Sequence, residues 1–134
     1  MSKLNVYLSG SMQDIDKNES AKWRSFVKKK LKDCASCFDP WDHFDFQMVD
    51  LSDREVMNYD LYQLRRSDLV ICNINYTRSL GTMSELAIAY DRRIPILAIN
   101  TSGELLHPWL ATMPEKIFAS WDDLIEYVKL HYWR

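Results

Sequence analysis

The chain has 134 residues, 47% of them hydrophobic and 27% charged, with 3 glycines and 4 prolines. That composition suits a single globular domain over 1–134 and leaves no room for a second core. A formal net charge of -2 argues against a basic nucleic-acid-binding module, and no apolar stretch approaches the length of a transmembrane helix.

The first residues lack the basic, apolar, small-residue order of a signal peptide, so the expected location is the cytoplasm. Lys3-Leu4-Asn5-Val6-Tyr7-Leu8 reads as a strand, ending in the small-residue turn Leu8-Ser9-Gly10-Ser11. Trp23, Phe26, Val27, Leu31 and Cys34 then recur at helical spacing with Lys and Arg between them. They predict an amphipathic helix from about Asn18 to Asp33. Its Lys28, Lys29, Lys30 and Lys32 are read as a solvated face. Cys37-Phe38-Asp39 is a short second strand. Cys34 and Cys37 have C-x-x-C spacing, but only His43 lies nearby and a zinc site needs about four ligands. No metal or cofactor is expected.

Pro40 to Leu51 (PWDHFDFQMVDL) is an aromatic and acidic loop with no clean period, of a length that is often functional. Ser52 and Glu55 stand at capping-box spacing and open a helix to about Arg66, with Val56, Tyr59, Leu61 and Leu64 available for burial. Leu69 to Ile74 is apolar on both faces, as a strand between two helical layers must be. A helix from Thr82 to about Arg92 and a strand from Ile94 to Ile99 follow. Leu110 to Glu115 reads as a short connection, and Ile117-Phe118 as an edge strand. Ser120 caps a final helix with Trp121, Leu124, Ile125, Val128 and Leu130 as its apolar set.

Strands alternating with helices predict an α/β fold: a doubly wound, Rossmann- or flavodoxin-like parallel sheet of about five strands, covered on both faces. Ligands bind such sheets outside the carboxyl ends of the strands. Three of those ends are chemically distinctive: Tyr7 to Ser11, the loop after Phe38, and Asn75 to Glu85. Glu85 is placed in the first turn of its helix, where an acidic residue suits the helix dipole. The preceding Gly81-Thr82 brings backbone N–H groups able to hold an anion to the same crevice. Asp60 is a second carboxylate, which a surface ion pair one turn away would also explain.

Together, Val6-Tyr7-Leu8-Ser9-Gly10-Ser11, Asp60 with Leu64 and Ser67-Asp68-Leu69-Val70, and Ser79-Leu80-Gly81 with Glu85-Leu86 and Ala89 resemble the nucleoside 2-deoxyribosyltransferase superfamily. That group includes the 2'-deoxynucleoside 5'-phosphate N-hydrolases. The resemblance runs from the first strand to about Ile99. It implies that Glu85 is the nucleophile, that Asp60 protonates or orients the base, and that Tyr7 positions Glu85. Ser9, Gly10 and Ser11 become substrate-binding candidates, Gly10 and Ser11 on the turn around the sugar. Ser79 and Gly81 fall on the loop that receives the 5' end, and Met83 and Trp41 are further candidates for lining the pocket. It also implies a homodimer or higher homo-oligomer in which a neighbouring subunit completes the site, with Trp109 to Met113 the segment to inspect.

The chemistry suits these residue types. Breaking a C1'–N bond develops positive charge on the sugar, which a carboxylate can trap as a glycosyl ester. The leaving base needs a proton, which an Asp with a raised pKa can give. Water or a second base then takes the sugar, so hydrolase and transferase share a first half-reaction. Six residues before the nucleophile, nucleoside-handling members commonly carry Asp and nucleotide-handling members Ser. Here it is Ser79, beside Arg78, which leans toward a 5'-monophosphate. A nucleotide-binding module that cuts nothing stands as the alternative from a different class.

Overall fold

The computed structural model describes residues 2–11, 17–40, 42, 50–75 and 79–133. Trp41, His43, Phe44 and Phe46 of the aromatic loop, and Arg78, lie outside them. Five strands form one sheet: β1 (Leu4–Gly10), β2 (Ala35–Phe38), β3 (Leu69–Asn73), β4 (Ile96–Ile99) and β5 (Lys116–Phe118). Five helices stand among the described residues: α1 (Lys17–Lys30), α2 (Asp53–Arg65), α3 (Leu80–Asp91), α4 (Pro108–Thr112) and α5 (Trp121–His131). All strand pairings are parallel, in the order β2-β1-β3-β4-β5, which is the flavodoxin-like order.

Alternation along the strands divides the core. Val6, Leu8, Leu69, Ile71, Leu97 and Ile99 pack with α1 and α5 through Trp23, Val27, Leu31, Leu124 and Val128. Tyr7, Val70, Cys72, Ile96 and Ala98 pack on the other face with Leu64 of α2, Leu86 and Ala89 of α3, and Leu110 of α4. Side chains of period two sent to two layers are what a doubly wound sheet requires.

Several boundaries differ from the sequence expectation, for physical reasons. Ser9 and Gly10 are not a turn; they are strand residues paired with Cys72 and Asn73. Leu110 to Glu115 is no plain connection, because His107 caps α4 and Pro108 sits at its first turn, where a missing N–H does no harm. Leu130 is 66% exposed and drops out of the apolar set of α5. Tyr59 is exposed as well, although its ring lies against Phe38. The capping box at Ser52 and Glu55 is formed in both directions. Trp133 packs on the α1/α5 side of the core.

Candidate active site

In a sheet of this order the connections after β1 and β3 leave on opposite faces, and a crevice opens between their carboxyl ends. β1 brings Tyr7 and Ser9 there, two residues apart and therefore on one face. α3 brings Glu85 to meet them. The Tyr7 hydroxyl donates a short hydrogen bond to Glu85 Oε2, and Ser9 Oγ donates to Oε1 at 2.9 Å. Each carboxylate oxygen thus has its own donor. The ring of Tyr7 is fully buried and stacked on Phe38 at 5.4 Å, which fixes the hydroxyl that holds Glu85.

α3 begins earlier than the sequence suggests. Ser79 is its N-cap, accepting from the Thr82 N–H at 3.2 Å, so Glu85 lies in the second turn and not the first. That removes the helix dipole as its explanation, since the dipole's effect falls off within the first turn. The N-terminus itself still offers the N–H groups of its opening turn, an environment suited to an anion. Gly81 sits there exposed; a Cβ would meet only Ser79 Oγ, at 3.7 Å. Packing within the fold does not ask for a glycine at 81, whereas close approach of a ligand to the backbone would.

Asp60 projects from α2 toward the same place. It is not a surface ion-pair residue: Oδ1 is buried without a hydrogen-bond partner among the described residues. Burial first, and then the Glu85 charge, push its carboxyl from 3.8 up to about 7. Glu85 is also raised, by burial, although the bonds from Tyr7 and Ser9 and the charge of Arg24 pull it back. Burial and the neighbouring Glu85 push the Tyr7 phenol far up, so it stays a donor. One carboxyl is therefore held by donors that favour its anion, while the other has lost the solvation that would ionise it. Burial raises both carboxyls, and only Glu85 has donors that oppose the rise.

The remaining candidates divide. Ser9, a substrate-binding candidate, donates to Glu85, and Cys72 Sγ lies in its hydrogen-bonding reach on β3. Gly10 is a close-approach position, where a Cβ would stand 2.8 Å from Trp23 Cζ2. Ser11 is buried, and its carbonyl accepts from Ser20 Oγ at 3.3 Å. Met83 is half-buried and packs against the α2/α3 side of the core. In the segment Trp109 to Met113, Leu110 and Met113 face inward and Trp109 is 63% exposed. Among the described residues no group of His, Cys, Asp and Glu is placed to hold a metal ion, and the cysteines form no disulfide.

Sequence reasoning missed Arg24. Read as one of the polar residues between apolar ones, it is 1% exposed, bonded to Asp39 at 2.8 Å and to the carbonyls of Leu8 and Gly10. The signal was available: Arg24 lies three residues before Val27 and seven before Leu31, on the buried stripe. Lys28 leaves the solvated face too, bridging Asp39 at 2.7 Å and Asp42 at 3.0 Å.

No protein-family profile matches the chain, and no curated protein matches it in sequence. Solved structures do match. A 2-deoxyribosyltransferase from Bacillus psychrosaccharolyticus superposes with a TM-score of 0.79 at 19% identity, covering 92% of this chain and 91% of its own. The CMP N-glycosidase of Clostridium botulinum gives 0.68 at 14%, over 95% and 98%. A response-regulator domain, the N-terminal domain of the nisin resistance regulator NsrR, gives 0.59 at 14%, over 96% and 97%. At such identities the likeness is one of fold, and a fold hosts many functions. The chain has the α/β fold of the solved 2-deoxyribosyltransferases.

Proposed function

We propose that the chain belongs functionally with the nucleoside 2-deoxyribosyltransferases and nucleotide N-glycosidases, and that it cleaves the N-glycosidic bond of (2'-deoxy)nucleoside 5'-monophosphates. The observation that carries this is the pair of unlike carboxyls at one crevice: Glu85 gripped by Tyr7 and Ser9, Asp60 desolvated beside it. Glu85 attacks C1', the C1'–N bond breaks, and its electron pair goes to the base, which takes the proton of Asp60. Water then opens the glycosyl ester and releases the sugar phosphate. The likeness to a CMP N-glycosidase supports the hydrolytic reading; the likeness to a 2-deoxyribosyltransferase supports base exchange as a second reading, with a base replacing water. Two carboxyls near a phosphate would weaken a pure anion binder, which disfavours the non-catalytic alternative.

The phosphate is assigned to Ser79, Gly81 and the opening of α3, where N–H groups and a hydroxyl face an anion without a competing carboxylate. Assembly as a homo-oligomer is part of the proposal. Leu80 and Trp109 are 84% and 63% exposed and each follows the carboxyl end of a strand, so a second copy would cover apolar surface beside the site.

Chromatography of nucleotides and nucleosides incubated with the protein, with and without an acceptor base, tests the reaction. Free base from 5'-monophosphates is expected, and folded Glu85→Gln should release it at least about a thousandfold more slowly. Equal rates for wild type and Glu85→Gln would end the mechanism. Preference for nucleosides over their 5'-monophosphates would remove the phosphate assignment.

A further inference from the structure

β2 is shorter than its neighbour. Its last pair is Phe38 with Tyr7, whereas β1 continues beside β3 to Gly10. Strand carbonyls alternate between the two edges. The carbonyl of Asn5 accepts from the Asp68 N–H on the β3 side, so those of Leu8 and Gly10 leave by the edge where β2 has ended. Arg24 of α1 occupies that edge. Nη1 donates to Leu8 O at 3.3 Å and to Asp39 Oδ1 at 2.8 Å, and Nη2 donates to Gly10 O at 3.0 Å. Its guanidinium lies over the Trp23 ring, 4.7 Å from the centroid.

We infer that Arg24 is a positioning residue for Glu85: its planar fork takes the place of the missing end of β2 and clamps the two carbonyls that flank Ser9. Ser9 then presents its hydroxyl to Glu85 Oε1 from a fixed backbone. A lysine could not span both carbonyls and Asp39 in one plane. Asp39 is shared between Arg24 and Lys28, and Lys28 also reaches Asp42, so two cations and two carboxylates meet at this edge. Within that cluster the charge of Arg24 favours the ionised form of Glu85, against the burial that opposes it. Among the described residues, the groups facing Glu85 are Tyr7 and Ser9 from β1, Cys72 from β3, Asp60 from α2 and Arg24 from α1. The catalytic consequence rests on the function proposed above; the effect on the carboxyl does not.

The test reads Glu85 directly, by NMR titration of the side-chain carboxyl carbons in glutamate-labelled protein without substrate, with Glu85→Gln assigning the signal. Arg24→Gln removes the charge and should raise the Glu85 midpoint by about one pH unit. Asp39→Asn removes the counter-charge while leaving Arg24, and should move the midpoint the other way. Opposite signs from two changes to one ion pair are not what general loosening of the core produces, and the Asp39→Asn arm stands if Arg24→Gln does not fold. On 5'-monophosphates, Arg24→Lys should lower kcat about tenfold with KM nearly unchanged, since the clamp is lost and the charge is not. An unmoved Glu85 midpoint in folded Arg24→Gln and Asp39→Asn, with only a lower melting temperature, makes the pair a core ion pair and overturns the inference. Absence of base release by wild type would instead tell against the proposed activity, and the titration would still decide the role of Arg24.

Discussion

Replacing Asp60 by Asn probes the electrostatics of the crevice through stability, without any assumption about substrate. The Asp60 carboxyl is pushed from 3.8 to about 7, first by burial and then by Glu85. About three powers of ten in proton affinity, at ~1.4 kcal/mol each, come to about 4 kcal/mol. The native state holds this proton more tightly than the unfolded chain does. Its contribution is therefore fully present below pH ~4, declines as pH rises, and is gone above about 7. Asn is neutral throughout and carries no such decline. Urea unfolding followed by the fluorescence of the five tryptophans, in steps from pH 4 to 8.5, should give nearly equal stabilities for both proteins at the acid end. At the alkaline end the variant should gain on wild type by up to ~4 kcal/mol, less whatever residual solvation relieves. Parallel stability curves between pH 5 and 8 would refute the reasoning. The same substitution should lower kcat for base release by about 10²- to 10⁴-fold, as expected on losing a general acid. It should also abolish the fall in wild-type activity as pH passes about 7.

Tyr7→Phe keeps the stacked ring and removes one donor to Glu85; a charge-assisted bond of ~1.5–3 kcal/mol corresponds to a kcat lower by about 10- to 100-fold, and an unchanged kcat would deny Tyr7 its role. Gly10→Ala forces a Cβ to within 2.8 Å of Trp23 Cζ2, and urea unfolding should show a loss of ~1–3 kcal/mol. Ser79→Asp retains a good helix cap while setting a carboxylate where the phosphate is assigned. The ratio of kcat/KM for a 5'-monophosphate over its nucleoside should fall by at least about tenfold, and a constant ratio would move the phosphate elsewhere.

Legibility in the sequence followed burial. The apolar run of β3 and the alternation of β1 are core signals, and they were enough for the parallel sheet and its helical layers. Glu85 and Asp60 each had an ordinary explanation, the helix dipole and a surface ion pair, and it was their spacing to each other and to Ser79 that carried the resemblance. What sequence reading missed depended on three-dimensional edges. Ser9-Gly10 resembles a turn in composition, but both residues continue a strand because β3 reaches further than β2. Arg24 was hidden because a charged residue on a helix is ordinarily placed in water; only where β2 ends are there carbonyls and an aspartate to receive it. α4 reads as a connection in the sequence because five residues are too few to show a period.

The response-regulator likeness sharpens what distinguishes this chain. A parallel sheet of this order always opens a crevice at the β1/β3 switch, so the crevice by itself implies no chemistry. What is particular here is that β1 is used from two sides at its carboxyl end. From the α3 side, Tyr7 and Ser9 supply one donor to each oxygen of Glu85. At the edge vacated by β2, Arg24 of α1 ties down the carbonyls between which Ser9 stands. Gly10 permits this close packing, since any side chain there would collide with Trp23. The carboxyl is thereby held with few rotamers to lose, and in the mechanism proposed above this holds the nucleophile ready before substrate arrives. A module that only bound nucleotides would have no use for a carboxyl fixed so firmly beside a second one whose proton affinity burial has raised.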